Sequence, residues 1–167
     1  DVMRPLVLLH RDVFRQHVAD GETGLADASW PLAAELAEQV LDDGRAHVDL
    51  EFTQTILVSL AADLVRAGAV NSSVGLLSRA LKISPDDPAA LLALGATFER
   101  SGHYQEAVRP LRTLVDAHPD NAEGALRLAI NLARDGKTEQ SAAGFRALIE
   151  DTAPTWITVI AYQELAR

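Results

Sequence analysis

The stretch PAALLALGATFERSGHYQEAVRPLRTLVDAHP, residues 88–119, decides the fold. Leu91, Leu94 and Phe98 recur at helical spacing and give its first half one apolar face. Gly95 is small enough for a second helix to cross closely over it. Gly102 ends the first helix, where a left-handed residue is needed. Tyr104, Ala107, Val108, Leu111 and Leu114 form the apolar face of the second helix, with Ala107 as the small partner of Gly95. Pro119 stops that helix and opens the next unit. Pro110 lies inside the second helix, removes one backbone hydrogen bond and is expected to bend it slightly.

The same pattern continues on both sides at a step of 34 residues. Gly68, Gly102 and Gly136 keep this spacing, as do Ala61, Gly95 and Ala129. Leu60, Leu94 and Leu128 follow it, and so do Leu64, Phe98 and Leu132. Leu77, Leu111 and Phe145 form a further column; Pro85 and Pro119 form another, with Pro154 one residue late. Ser73 and Ser141 are the small crossing residues of the outer units. Three units result: 54–87, 88–121 and 122–154.

In length and in the order of small and large residues, these units resemble tetratricopeptide repeats. The resemblance covers residues 54–154 and implies an all-α chain, an α-solenoid of three tetratricopeptide-like helical hairpins. Two departures stand out. Leu57, Leu91 and Ala125 hold a column where the family often has Trp, and Val70 and Thr138 replace Tyr104 in the outer units. Repeats one and three are therefore expected to pack less tightly than repeat two.

Residues 1–53 are expected to form an N-terminal helical cap, either a diverged hairpin or a separate extension. Between residues 2 and 18 two apolar sets share helical spacing: Val2, Leu6, Leu9 and Val13, and Met3, Val7, Phe14 and Val18. Pro5 suits the first turn of such a helix, with an extended Pro5–Leu9 as the alternative. Ser29 caps a second helix carrying Ala33, Leu36, Ala37, Val40 and Leu41, and Gly44 closes it. Residues 155–167 read as a C-terminal capping helix over repeat three, with Trp156, Ile157, Ile160, Ala161 and Leu165 apolar. The chain opens on Asp1 and stops within a helical pattern, so it is expected to be a portion of a longer protein.

Composition narrows the function. At 48% hydrophobic and 23% charged, the 167 residues can bury a core. The net charge of −9 argues against nucleic acid, which needs clustered Lys and Arg. Eight acidic side chains against Arg45 alone crowd residues 21–53, a pattern typical of a solvated face. No run approaches the roughly 20 apolar residues of a membrane span. Cysteine is absent, which removes disulfides and thiolate metal sites and leaves the compartment open. The Ala, Leu, Arg and Asp content is compatible with a bacterial source.

Little points to catalysis. His10, His17, His47, His103 and His118 form no tight ligand pair, so no metal and no cofactor is expected. The segment His118–Asp120 is an ordinary turn between repeats, and Glu35 with Glu38 is an ordinary surface pair. No nucleophile elbow, zinc-protease helix or phosphate loop occurs. The expectation is a non-enzyme whose partner is a protein or peptide, with self-association into a homo-oligomer, or a recruiting role within a larger protein, as the alternatives.

In the family, the first helix of each hairpin lines a concave groove. The resemblance implies that repeat one offers Thr55, Val58, Ala62, Val65 and Arg66. Repeat two offers Ala89, Leu92, Ala96, Glu99 and Arg100, and repeat three Glu123, Leu126, Ile130, Ala133 and Arg134. The expected partner-binding core is Val58, Ala62, Leu92, Ala96, Leu126 and Ile130, flanked by a row of Arg66, Arg100 and Arg134. Family members that clamp a peptide's terminal carboxylate use Lys and Asn where this chain is apolar, so that mode is rejected. An amphipathic segment with acidic groups fits instead. Two plainer readings compete: the arginines complement helix dipoles, and the chain's own N-terminal helix fills the groove.

Overall fold

The computed structural model describes residues 12–13, 15–17, 19–21, 35, 50–66, 68–151 and 155–166. The remaining expectations for residues 1–49, including the helix after Ser29, lie outside the described residues. The described residues are helical with turns between, and they fall into two compact units, 1–85 and 86–167.

In the first unit, α1 (Leu50–Arg66) and α2 (Val70–Ile83) form one hairpin. Leu57, Leu60, Ala61 and Leu64 pack with Leu76, Leu77 and Ala80, and each is at most 1% exposed. The boundary expected between residues 53 and 54 falls inside α1, which begins at Leu50. Residues 12, 13, 15–17 and 19 are also helical, and Gly21 follows with φ 75°.

In the second unit, α3 (Pro88–Arg100) pairs with α4 (Tyr104–Ala117), and α5 (Ala122–Arg134) with α6 (Thr138–Asp151). The last helix, α7 (Trp156–Leu165), packs on α6 and α5. Leu126 and Ala129 of α5, Phe145 and Leu148 of α6, and Ile157 and Ala161 of α7 make one buried cluster.

The turns repeat because the glycines do. Gly68, Gly102 and Gly136 have φ of 83°, 78° and 78°, a region closed to most side chains. Each lets the chain fold back on the helix it ends. The following N–H groups, of Ala69, His103 and Lys137, donate to the carbonyls of Leu64, Phe98 and Leu132, each at 2.9 Å. These bonds satisfy carbonyls that the helix end leaves open. At the opposite ends, Asp87 and Asn121 accept from the N–H groups of Ala90 and Gly124. Pro88 occupies the first turn of α3, where its missing N–H costs nothing.

Close crossing explains the small columns. A methyl group at Gly95 would lie 2.5 Å from Cγ of Leu111, which is fully buried. The side chain standing over Gly95 is thus Leu111, one turn beyond the expected partner Ala107. In repeat three the buried Ser141 hydroxyl donates to the carbonyl of Ala129 at 2.8 Å, so this small pair also carries a hydrogen bond. Helix α4 runs through Pro110, which is itself buried.

Candidate functional site

Positions 5, 9 and 13 of each repeat, all on its first helix, hold the candidate residues. On α3, Leu92 and Ala96 are half-buried and Arg100 is exposed. On α5, Ile130 is half-buried, and the Arg134 side chain is 48% exposed. In the first unit, Val58 is half-buried, while Ala62 and the Arg66 side chain are exposed, the latter at 60%. Both Ala62 and Arg66 therefore keep a face open to water.

Leu126 is a correction. It is only 3% exposed and belongs to the cluster with Phe145, Ile157 and Ala161. The packing of α7 on α5 and α6 takes it out of any open strip. A partner could not reach it without moving that helix.

The arginine row is also less uniform than its spacing suggests. Arg134 lies 5.1 Å from the centre of the Tyr104 ring and 3.8 Å from Glu99 Oε1. It is therefore engaged by a cation–π contact and a long ion pair. Arg66 pairs with Asp63, one turn earlier on its own helix. Arg100 has no partner among the described residues, which leaves it as the open cation of the row.

Between α3 and α5 lies a polar link that sequence reading missed. Glu99 Oε2 accepts from Arg127 Nη1 and Asn131 Nδ2, each at 3.2 Å. Arg127 also donates to Glu123 Oε1 at 3.0 Å. Asn131 is fully buried, and its amide donates again to the Arg127 carbonyl at 2.8 Å. Burying such an amide is costly unless it is bonded, so Glu99 fixes the approach of α3 to α5.

The first unit has an equivalent link. Arg15 Nη2 donates to Ser59 Oγ at 2.8 Å, and its Nε donates to the carboxylate of Asp63, which is 1% exposed. Ser59 and Asp63 precede Arg127 and Asn131 by 68 residues, two repeat lengths. The buried polar column continues through Thr97, whose hydroxyl donates to the Ala93 carbonyl at 2.8 Å. Asp63, Thr97 and Asn131, 34 apart, were readable as a polar column inside otherwise apolar helices. His118 makes a further link inside the second unit. Its Nε2 lies 2.7 Å from the carbonyl of Asp86 and joins two inter-repeat turns.

Among the described residues no group of three or more His, Asp or Glu is placed to hold a metal ion. Among them, too, no helix is long and apolar enough to cross a membrane.

Helical hairpins with glycine turns at one step of 34 residues, two of them packed together in the second unit, define an all-α helical-repeat fold. Residues 64–129 match the family model described as tetratricopeptide repeat. Among solved structures, MamA from strain MSR-1 is 25% identical, with a TM-score of 0.55 over 86% of this chain and 75% of that one. A tetratricopeptide repeat protein from Parabacteroides merdae ATCC 43184 is 13% identical, with a TM-score of 0.69 over 95% of this chain and 58% of that one. MamA from Desulfovibrio magneticus RS-1 is 17% identical, with a TM-score of 0.57 over 86% of this chain and 74% of that one. The second and third likenesses speak for the fold alone. No curated protein matches the sequence. The class is one of protein–protein interaction modules.

Proposed function

We propose that this chain is a non-catalytic binding module whose first helices receive an amphipathic segment of a partner protein. Leu92, Ala96 and Ile130 supply the apolar strip in the second unit, with Val58 and Ala62 as the corresponding strip in the first. In the second unit, acidic groups on the partner meet Arg100 and the exposed part of Arg134; in the first, the corresponding cation is Arg66.

One observation carries the reading. Apolar side chains at positions 5 and 9 of α3 keep part of their surface in water, next to a cation that nothing in the described chain neutralises. Core positions on the same helix, Leu91 and Leu94, are at most 9% exposed. A helix-in-groove partner removes the apolar surface from water and supplies the missing carboxylate together. Arg suits this contact because its planar fork can grip a carboxylate with two parallel bonds.

The test substitutes Leu92→Asp together with Ala96→Asp. Partner binding is expected to be lost, while the far-UV circular dichroism keeps its helical signal. Unfolding of the double variant would assign both side chains to the core and end the groove reading.

A further inference from the structure

Repeat three departs from its neighbours on one side. Ala125 holds the column of Leu57 and Leu91, which are 0% and 3% exposed. Gly144 holds the column of Leu76 and Pro110, both buried. Ala147 follows Arg79 and Thr113 in a third column. Side chains are therefore cut back together on α5 and α6. They line a cleft of about 760 Å³, with α5 as its floor and α4 and α6 as its walls. No wall belongs to α7, and the cleft shares no residue with the candidate strip.

The lining decides what the cleft can hold. Its volume falls within the roughly 300–1,000 Å³ of small-molecule sites. Val115, Leu128, Leu132 and Leu148 add branched apolar groups to the small residues. None of the buried side-chain polar atoms left unpaired among the described residues lies here. An extended peptide would bring backbone N–H and C=O groups against these surfaces and find no partners for them. An alkyl chain has no such groups. The floor from Ala122 to Leu132 is about 15 Å long. A zigzag of carbon–carbon bonds, each about 1.5 Å, spans that length with about a dozen carbons.

Charge sets the head group. The charged residues lining the cleft are Arg112 of α4 and Asp120 of the turn before α5. Arg112 Nη2 donates to Gln140 Oε1 at a long 3.4 Å, and Arg112 forms no ion pair among the described residues. Gln140 lies in the first turn of α6, beside the end of α5, whereas Asp120 lies beside its start. The two therefore mark opposite ends of the cleft. A carboxylate is drawn to Arg112 and kept away from Asp120, which gives a ligand one orientation.

We infer that the cleft binds a fatty acid, an alkyl chain of about a dozen carbons ending in a carboxylate. The chain lies along α5 between Ala125, Gly144 and Ala147, and the carboxylate meets Arg112. Each methylene taken out of water strengthens binding by up to about fourfold. The exposed ion pair adds only about threefold, so the alkyl chain supplies most of the affinity and Arg112 the direction.

Isothermal titration calorimetry with dodecanoate, below its micelle concentration, tests this on the whole chain. One site per 18.0 kDa chain is expected. Decanoate, two methylenes shorter, is expected to bind more weakly by up to about fifteenfold. Ala147 is exposed, so Ala147→Trp is expected to fill the cleft and abolish binding with wild-type helicity. Ala125→Leu restores the side chain of the other repeats and is expected to do the same. Arg112→Gln is expected to weaken dodecanoate about threefold and leave the uncharged dodecanol unchanged. Ala96→Asp, in the candidate strip, binds dodecanoate like the parent, so cleft and strip are read separately. A parent chain that binds no dodecanoate overturns the inference. So does binding that survives both Ala147→Trp and Ala125→Leu, or an Arg112→Gln chain that loses dodecanol and dodecanoate alike.

Discussion

Two glycine-to-alanine substitutions are expected to change stability in opposite directions. Gly75 sits inside α2, and a methyl group there would meet nothing within 4 Å. Alanine at that place gains helix propensity and loses chain entropy only in the unfolded state, worth about 0.8–1 kcal/mol. Gly95 gains the same propensity in α3. There, however, the added methyl would lie 2.5 and 2.6 Å from Cγ and Cδ2 of Leu111. Leu111 is fully buried and its Cγ is close to its backbone, so it cannot swing away. Overpacking of this kind costs about 1–3 kcal/mol. The balance at Gly95 is a loss of up to about 2 kcal/mol. For a chain of this length each kcal/mol moves the melting midpoint by about 2–4 °C. Gly75→Ala should therefore raise the midpoint by a few degrees, and Gly95→Ala should lower it by up to about 8 °C. Thermal and urea unfolding followed by circular dichroism reads both. If Gly95→Ala stabilises the chain as Gly75→Ala does, the close crossing of α3 and α4 is absent and the size logic of the repeat is wrong.

Three further expectations follow from single side chains. Gly102→Ala forces a methyl-bearing residue to φ 78° and should cost about 1 kcal/mol or more in a urea titration. Leu126→Ala should cost about 2–5 kcal/mol as a buried core change, whereas Leu92→Ala, already partly in water, should cost less than half as much. Equal losses at the two sites would contradict their assignment to different faces. Asp87→Ala removes the cap of α3 and should lower stability by about 1 kcal/mol, measured the same way.

The hairpins were legible because their determinants are local. A glycine that must be left-handed, a small residue at a crossing and a 3.6-residue apolar period each act within one unit. Gly68, Gly102 and Gly136 therefore mark the turns in sequence and in structure alike. The candidate strip was less legible because its exposure depends on neighbours far along the chain. Leu92 and Leu126 share a column, yet only Leu126 joins a core that includes α7. Charge partners are less legible still. Arg66, Arg100 and Arg134 look alike at 34-residue spacing, but Asp63, Glu99 and Tyr104 engage two of them and, among the described residues, leave Arg100 open. The buried amide of Asn131 needed knowledge that Glu99 stands opposite it, 32 residues away.

Site-specific photo-crosslinking puts the proposed binding face to the most direct trial. A benzophenone amino acid is placed at Ala96, within the strip of α3, and in a second protein at Ala143, exposed on α6. The account predicts a covalent adduct with a partner protein from Ala96 and none from Ala143. Adducts from Ala143 alone would contradict it.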